Sequence, residues 1–185
     1  MAINLPVNPS PASAKFRYLE YGARLSAPLG GSTQNIMRLG DRLAMDVTLP
    51  PMTEEQANNW IAAHLEAKAT GQTVRMRVPS PVGPTPVTMS GIANQASATV
   101  LTGDLSQIKR GQWFTYQAAD GFLYLHKITR VSGSTIGVSP RLRRSFNGGV
   151  SMDYPAIEGW LDTGFEWDVG VAQIVGLSFN ITESR

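Results

Sequence analysis

Between Leu43 and Leu49 the chain alternates, with Leu43, Met45, Val47 and Leu49 on one side and Asp46 and Thr48 on the other. A period of two predicts a half-buried antiparallel strand over 41–49. Pro50-Pro51 ends that strand. Thr53, with Gln56 three residues on, then forms a capping-box pattern that predicts a helix over 54–69. Glu54 and Glu55 place negative charge at the positive end of its dipole. Ala57, Trp60, Ile61 and Leu65 make its apolar stripe, and Gly71 is its natural terminator. Alternation returns at 73–78, with Val74, Met76 and Val78 inward, and again at 174–182, where Val175, Leu177, Phe179 and Ile181 oppose Gly176, Ser178, Asn180 and Thr182. Upstream, 14–21 alternates weakly through Phe16 and Tyr18 and predicts a strand. Gly, Pro and Ser mark a loop at 26–33, and 34–38 resumes a short strand.

Two proline-rich stretches divide the chain. Pro6, Pro9 and Pro11 make residues 1–13 an extended arm expected to order only against something else. Pro79, Pro81, Pro84 and Pro86 cannot occupy a central strand, so 79–86 reads as a linker. Beyond it the texture changes to five short β segments at 87–90, 98–102, 112–118, 121–131 and 134–139. Ala119-Asp120-Gly121 and Ser132-Gly133-Ser134 supply hairpin turns, and Ser145-Phe146-Asn147-Gly148-Gly149 closes the set. Strands at that spacing predict a small barrel or curled sheet. The expected fold is therefore mainly β: a sandwich-like sheet with one helix, formed by 1–80 plus 150–185, carrying an inserted barrel-like domain over 85–148. Insertions of this kind are tolerated at exposed loops.

Charge changes the picture in one respect. Only 16% of the 185 residues are charged, against roughly 25% in an average domain, and the net charge is +2. The charges are segregated. Residues 105–145 carry Lys109, Arg110, Lys127, Arg130, Arg141, Arg143 and Arg144 against Asp120. Residues 150–185 carry Asp153, Glu158, Asp162, Glu166, Asp168 and Glu183 against Arg185. Opposite patches of this kind set the orientation of neighbouring copies. Two solvated faces that never meet would give the same count. The absence of cysteine excludes disulfides, thiolate metal sites and cysteine nucleophiles, and fits a reducing compartment. The N-terminal residues have no basic-then-apolar pattern of a signal peptide, and no apolar run approaches the ~20 residues that span a bilayer. The expectation is a soluble, non-exported protein.

Candidate chemistry is sparse. His64 and His126 have no acid or second ligand at a telling spacing, and no motif marks a nucleophilic serine. Asp162, Glu166 and Asp168 lie among Trp160, Phe165 and Trp167, which admits a paired-carboxylate glycosidase site, but two acids beside tryptophans is a common coincidence. The run lacks calcium-loop spacing. No glycine pattern opens a helix after a strand to cradle phosphate. Arg141-Leu142-Arg143-Arg144, with Trp113, Phe114 and Tyr116 upstream, admits an oligonucleotide-binding barrel. A net charge of +2 favours instead an arginine cluster that meets an acidic neighbour. No catalytic, cofactor-binding or metal-ligating residue is assigned.

The order of landmarks resembles tail proteins of long-tailed bacteriophages, of the minor-tail or distal-tail type. The landmarks are Phe16, then Ala27-Pro28-Leu29-Gly30-Gly31-Ser32-Thr33-Gln34, Leu49-Pro50-Pro51-Met52 and Ala57-x-x-Trp60. Leu123 and Leu125 before Val131, Pro140-Arg141-Leu142-Arg143 and Val175-Gly176-Leu177-Ser178-Phe179 complete them. Lys109-Arg110-Gly111-Gln112 stands where that family pattern has a Gly-Asp turn, and the linker at 79–86 is richer in proline. The resemblance implies a non-enzymatic virion protein of the tail tip, assembled in the host cytoplasm. It would close into a ring, commonly of six copies, between the tail tube protein and the baseplate hub. It implies no cofactor, no membrane and no specific nucleic acid. A ring needs two different complementary patches per subunit. Arg141, Arg143 and Arg144 on one side and Asp162, Glu166 and Asp168 on the other are the candidates, with the loop 26–33 and the arm 1–13 as a clasp on a neighbour. The alternatives are a carbohydrate- or single-stranded nucleic-acid-binding module, and a cell-wall hydrolase using Asp162 or Glu166.

Overall fold

A computed structural model describes residues 2–26, 30–36, 40–162, 166–169 and 175–184. Positions 27–29 of the expected loop, 37 and 38 of the expected strand 34–38, Phe165, and residue 174 of the expected last strand lie outside the described residues.

The chain is mainly β. Before the insertion run β1 (Ile3–Asn4), β2 (Ser13–Leu19), β3 (Ala23–Leu25), β4 (Gln34–Ile36), β5 (Arg42–Thr48), α1 (Glu54–Thr70) and β6 (Val74–Arg77). Six strands follow: β7 (Val87–Gly91), β8 (Ser97–Thr102), β9 (Trp113–Gln117), β10 (Leu123–Ser132), β11 (Thr135–Ser139) and β12 (Phe146–Ser151). The chain ends with β13 (Ala156–Leu161), β14 (Glu166–Val169) and β15 (Val175–Glu183). Both ends of the chain build one sheet, in the order β1-β6-β13-β15-β5-β2 with β14 also on β15, while β7 to β12 close into a barrel. Strands β3 and β4 form a separate hairpin. The two crossings between sheet and barrel run side by side: the Val78 N–H donates to the Pro155 carbonyl (2.7 Å), and the Gly83 N–H to that of Met152 (3.0 Å).

The alternation read in the sequence places the core. Leu43, Met45, Val47 and Leu49, Val74, Met76 and Val78, and Leu177, Phe179 and Ile181 are all buried on the face that α1 covers. The helix starts where the capping box requires, with the Thr53 N–H donating to Gln56 Oε1 (3.3 Å). It ends at Gly71, whose φ of 61° is left-handed and suits glycine. Trp60 is fully buried against Phe179, with ring centroids 5.9 Å apart. Burying ~200 Å² of indole at about 25 cal/mol per Å² makes it worth about 5 kcal/mol before entropy. The barrel has its own core, which includes Met89, Phe114, Tyr116, Tyr124, Ile136 and Leu142. Trp113 and Leu125 leave the barrel core and join that of the sheet, and Phe16 packs against Trp113 with ring centroids 4.8 Å apart and planes tilted by 33°.

The structure departs from the expectations, or adds to them, at four points. The buried face of α1 is Ala57, Trp60, His64 and Ala67, while Leu65 is 49% exposed and Ile61 only half-buried. At about 100° per residue, Leu65 falls well off the line through 57, 60, 64 and 67, so a buried histidine takes the place expected of leucine. The barrel has six strands, not five, because 146–151 pairs with β7 along five residues and with β9 at its end. Asn147-Gly148-Gly149 reads locally as a turn, but two ready strand edges override it. Residues 156–161 and 166–169 form two further strands that the periodicity does not mark. Finally, the arm is seated on its own chain: Ile3 and Asn4 pair in parallel with Val74 and Arg75, and Leu5 is buried.

Gly159 faces Glu183 across the β13–β15 ladder, and a Cβ added there would stand 2.1 Å from the Thr182 carbonyl oxygen. Gly159→Ala is expected to force the two strands apart and destabilise the protein by about 1–3 kcal/mol, read as a lowered urea midpoint.

Candidate assembly interface and the joint behind it

The three arginines of the expected basic patch go three ways. The Arg144 side chain is 57% exposed and lies 3.4 Å from Asp120, itself the acceptor of the Tyr124 hydroxyl (2.9 Å). Arg141 braces a loop by donating to the Asn94 carbonyl (3.1 Å). Arg143 turns inward. Its side chain is 9% exposed and pairs with Glu183, which is 1% exposed. An arginine in the interior presents no charge to a neighbouring copy, so the outward basic surface consists of Lys109, Arg110, Lys127, Arg130 and Arg144.

The acidic candidates divide in the same way. Glu183 continues the inward row Leu177, Phe179, Ile181, so the pleat carries a carboxylate into the core. It accepts from the N–H groups of Leu43 and Leu125, both at 3.2 Å. Burial pushes its pKa up, and Arg143 opposes that shift. Glu158 is buried beside Arg75 (2.7 Å) and accepts from the Thr73 hydroxyl and the Leu123 N–H, both at 3.0 Å. β11 pairs with β10 only from Lys127 onward, so the N–H groups of Leu123 and Leu125 have no strand partner on that side. Two glutamates from the sheet meet them instead. Arg75 completes the joint by donating to the Gly121 carbonyl (2.9 Å). Buried carboxylates with this many charge-assisted bonds hold geometry more than they add stability.

Asp162 is exposed at the end of β13. It lines a cleft of about 340 Å³ with Trp160 and the helix-end residues Lys68 and Gly71. Trp160 is 48% exposed and Trp167 42%. Of the two, Trp160 lines the cleft, and tryptophan is among the residue types that dominate interface energetics. Glu166 and Asp168 lie on β14, next to β15, and their side chains lie outside the described residues.

Neither histidine is on the surface. His64 Nδ1 lies 2.8 Å from the Trp60 carbonyl and His126 Nδ1 3.0 Å from that of Pro140. Burial holds His64 down at about 4, helped by Lys68, and His126 at about 3, helped by Arg143. Both are neutral at pH 7, each with its Nδ1 proton on a carbonyl. Trp113, Phe114 and Tyr116 are buried and so form no stacking platform for bases. Among the described residues no group of three or more His, Cys, Asp or Glu side chains is placed to hold a metal, and no helix is long and apolar enough to cross a membrane.

Sequence reasoning missed the Arg143–Glu183 pair, although Glu183 at an inward position of an apolar alternation was the available signal. It also left His64 out of the buried face of the helix, although that residue sits seven positions after Ala57 and four after Trp60. Comparison of the sequence with protein-family models and with curated proteins found no match.

Proposed function

We propose that the protein is a structural subunit of the tail tip of a long-tailed bacteriophage, closing into a ring of about six copies between the tail tube protein and the baseplate hub. In this reading it is not an enzyme and needs no cofactor. Its surfaces contact further copies of itself and the neighbouring tail proteins, and it resides in the virion after assembly in the host cytoplasm. The ordered landmarks from Phe16 to Phe179 suggest the family.

The structural observation that carries the reading is the open sheet with two unlike edges. One edge is β2, seven residues that pair only with β5 among the described residues and display Lys15 and Arg17. The other is β6, covered over two residues by β1. Unlike edges on one subunit are what a head-to-tail interface requires, and head-to-tail interfaces generate rings when the rotation closes. The exposed Trp160 and Trp167 add apolar anchors.

Light scattering behind a sizing column, over a range of concentrations, tests the reading. A particle of about six chain masses, ring-shaped by negative stain, is the expected result. A strict monomer that binds cell-wall glycan or single-stranded DNA with saturation would replace it with a binding module.

A further inference from the structure

The arm and β2 are adjacent in sequence yet lie on opposite edges of the same sheet. Five strand spacings of about 4.8 Å separate those edges, about 24 Å measured across the strands alone. Nine Cα steps join Asn4 to Ser13 and reach about 30 Å when fully extended. The segment between therefore crosses the whole sheet with little slack. It is stiffened by Pro6, Pro9 and Pro11, and it is held midway where Trp60 Nε1 donates to the Asn8 carbonyl (3.3 Å). Beyond it, the Ala12 N–H donates to the Thr48 carbonyl (2.9 Å), where β2 begins.

The seat of the arm is equally defined. The Ile3 N–H donates to the Thr73 carbonyl (2.8 Å) and the Leu5 N–H to that of Arg75 (2.9 Å), while Leu5 fills the core. Among the described residues this parallel pair is the one exception in an otherwise antiparallel sheet. The arm is thus an added strand that the other pairings do not need.

We propose that in the assembled protein the arm of each copy is exchanged into the β6 seat of the next. This rests on the head-to-tail ring reading. When β2 of one subunit lies beside β6 of its neighbour, the arm leaving Ser13 starts next to that neighbour's seat. Exchange then replaces a taut crossing of a whole sheet by a step between adjoining edges. Every contact of the seat is kept, because the incoming residues are the same Ile3, Asn4 and Leu5. Taut hinges between exchangeable elements favour this outcome. The partner is a second copy of this chain, and the surface is the β6 edge with the cleft of about 240 Å³ between Val7, Ser10 and Pro11 of the arm and Met76, Val78 and Ser80.

The chain has no cysteine, so introduced thiols report without background. A size-tagged Ser10→Cys chain and an untagged Ser80→Cys chain are co-expressed, purified together and treated with a short bis-maleimide. The expected result is a tagged–untagged hybrid with the mass of two chains. In the double variant Ser10→Cys/Ser80→Cys the expected shift is from single-chain mass to a ladder of linked chains. Double-variant products that stay at single-chain mass, with no hybrid from the mixture, overturn the exchange. The pair Val7→Cys and Ser80→Cys repeats the test from a second position in the same cleft. The mass of the same samples on a sizing column reports separately on the ring: a six-chain particle with only single-chain products overturns the exchange and leaves the ring standing.

Discussion

Arg143→Met is expected to destabilise the protein by about 3–5 kcal/mol at pH 7.5. The substitution leaves the Glu183 carboxylate 1% exposed, with only the Leu43 and Leu125 N–H groups to offset the lost hydration. Restoring neutrality with Arg143→Met/Glu183→Gln should recover part of the loss, because an uncharged amide oxygen still accepts from those two N–H groups. The pH dependence separates a charge effect from a packing effect. Burial already raises the Glu183 pKa, and removing Arg143 raises it further. A carboxyl whose folded pKa lies above its unfolded value favours folding at low pH and opposes it as pH rises through the folded pKa. The deficit of Arg143→Met should therefore be smaller at pH 4.5 than at pH 7.5. Urea midpoints of the three proteins at both pH values decide this. A loss below about 1 kcal/mol would mean that the pair behaves as a surface ion pair.

Acid is expected to weaken the fold by about 4 kcal/mol between pH 7.5 and pH 5, through two histidines that fold neutral. His64 titrates at about 4 and His126 at about 3 in the folded protein, against 6.5 when free. Groups with depressed folded pKa values contribute fully above the unfolded pKa. Their contribution is lost as pH falls from 6.5 toward those folded values. At pH 5 each accounts for about 2 kcal/mol. His126 is stacked on Tyr116 (centroids 5.4 Å, planes 4° apart) with Arg143 and Glu183 beyond, so a proton there meets a cation in the core. Glu183, whose pKa burial raises, works in the opposite direction, which makes the variant comparison the cleaner reading. In His126→Asn the amide nitrogen can still donate toward the Pro140 carbonyl, and the slope of stability against pH between 6.5 and 5 should fall to about half. An unchanged slope would place the titration elsewhere.

Much of the fold was legible along the chain. The rows Leu43 to Leu49, Val74 to Val78 and Leu177 to Ile181 are each a local record of which side is dry, because successive strand residues face opposite ways. The capping box at Thr53 and the left-handed Gly71 are likewise properties of a few neighbouring residues. The prolines at 79–86 separated the strands of the barrel from the sheet for the same local reason.

The candidate interface was less legible. Arg141, Arg143 and Arg144 are equivalent as a run of charge, yet one braces a loop, one is buried in an ion pair and one faces water. Which is which depends on the β11–β12 connection meeting a strand forty residues further on. Phe146 to Ser151 became a strand only because β7 and β9 presented two edges to it. The arm found its place only because β6 has an uncovered edge.

The sequence by itself determined the strongly alternating strands, the helix with its caps and the division at the prolines, since periodicity and turn chemistry act over a few residues. The tertiary structure alone decided which charges are surface and which are joints, and where the arm lies. A carboxylate or an arginine takes its role from the groups that replace its water, and those come from distant parts of the chain.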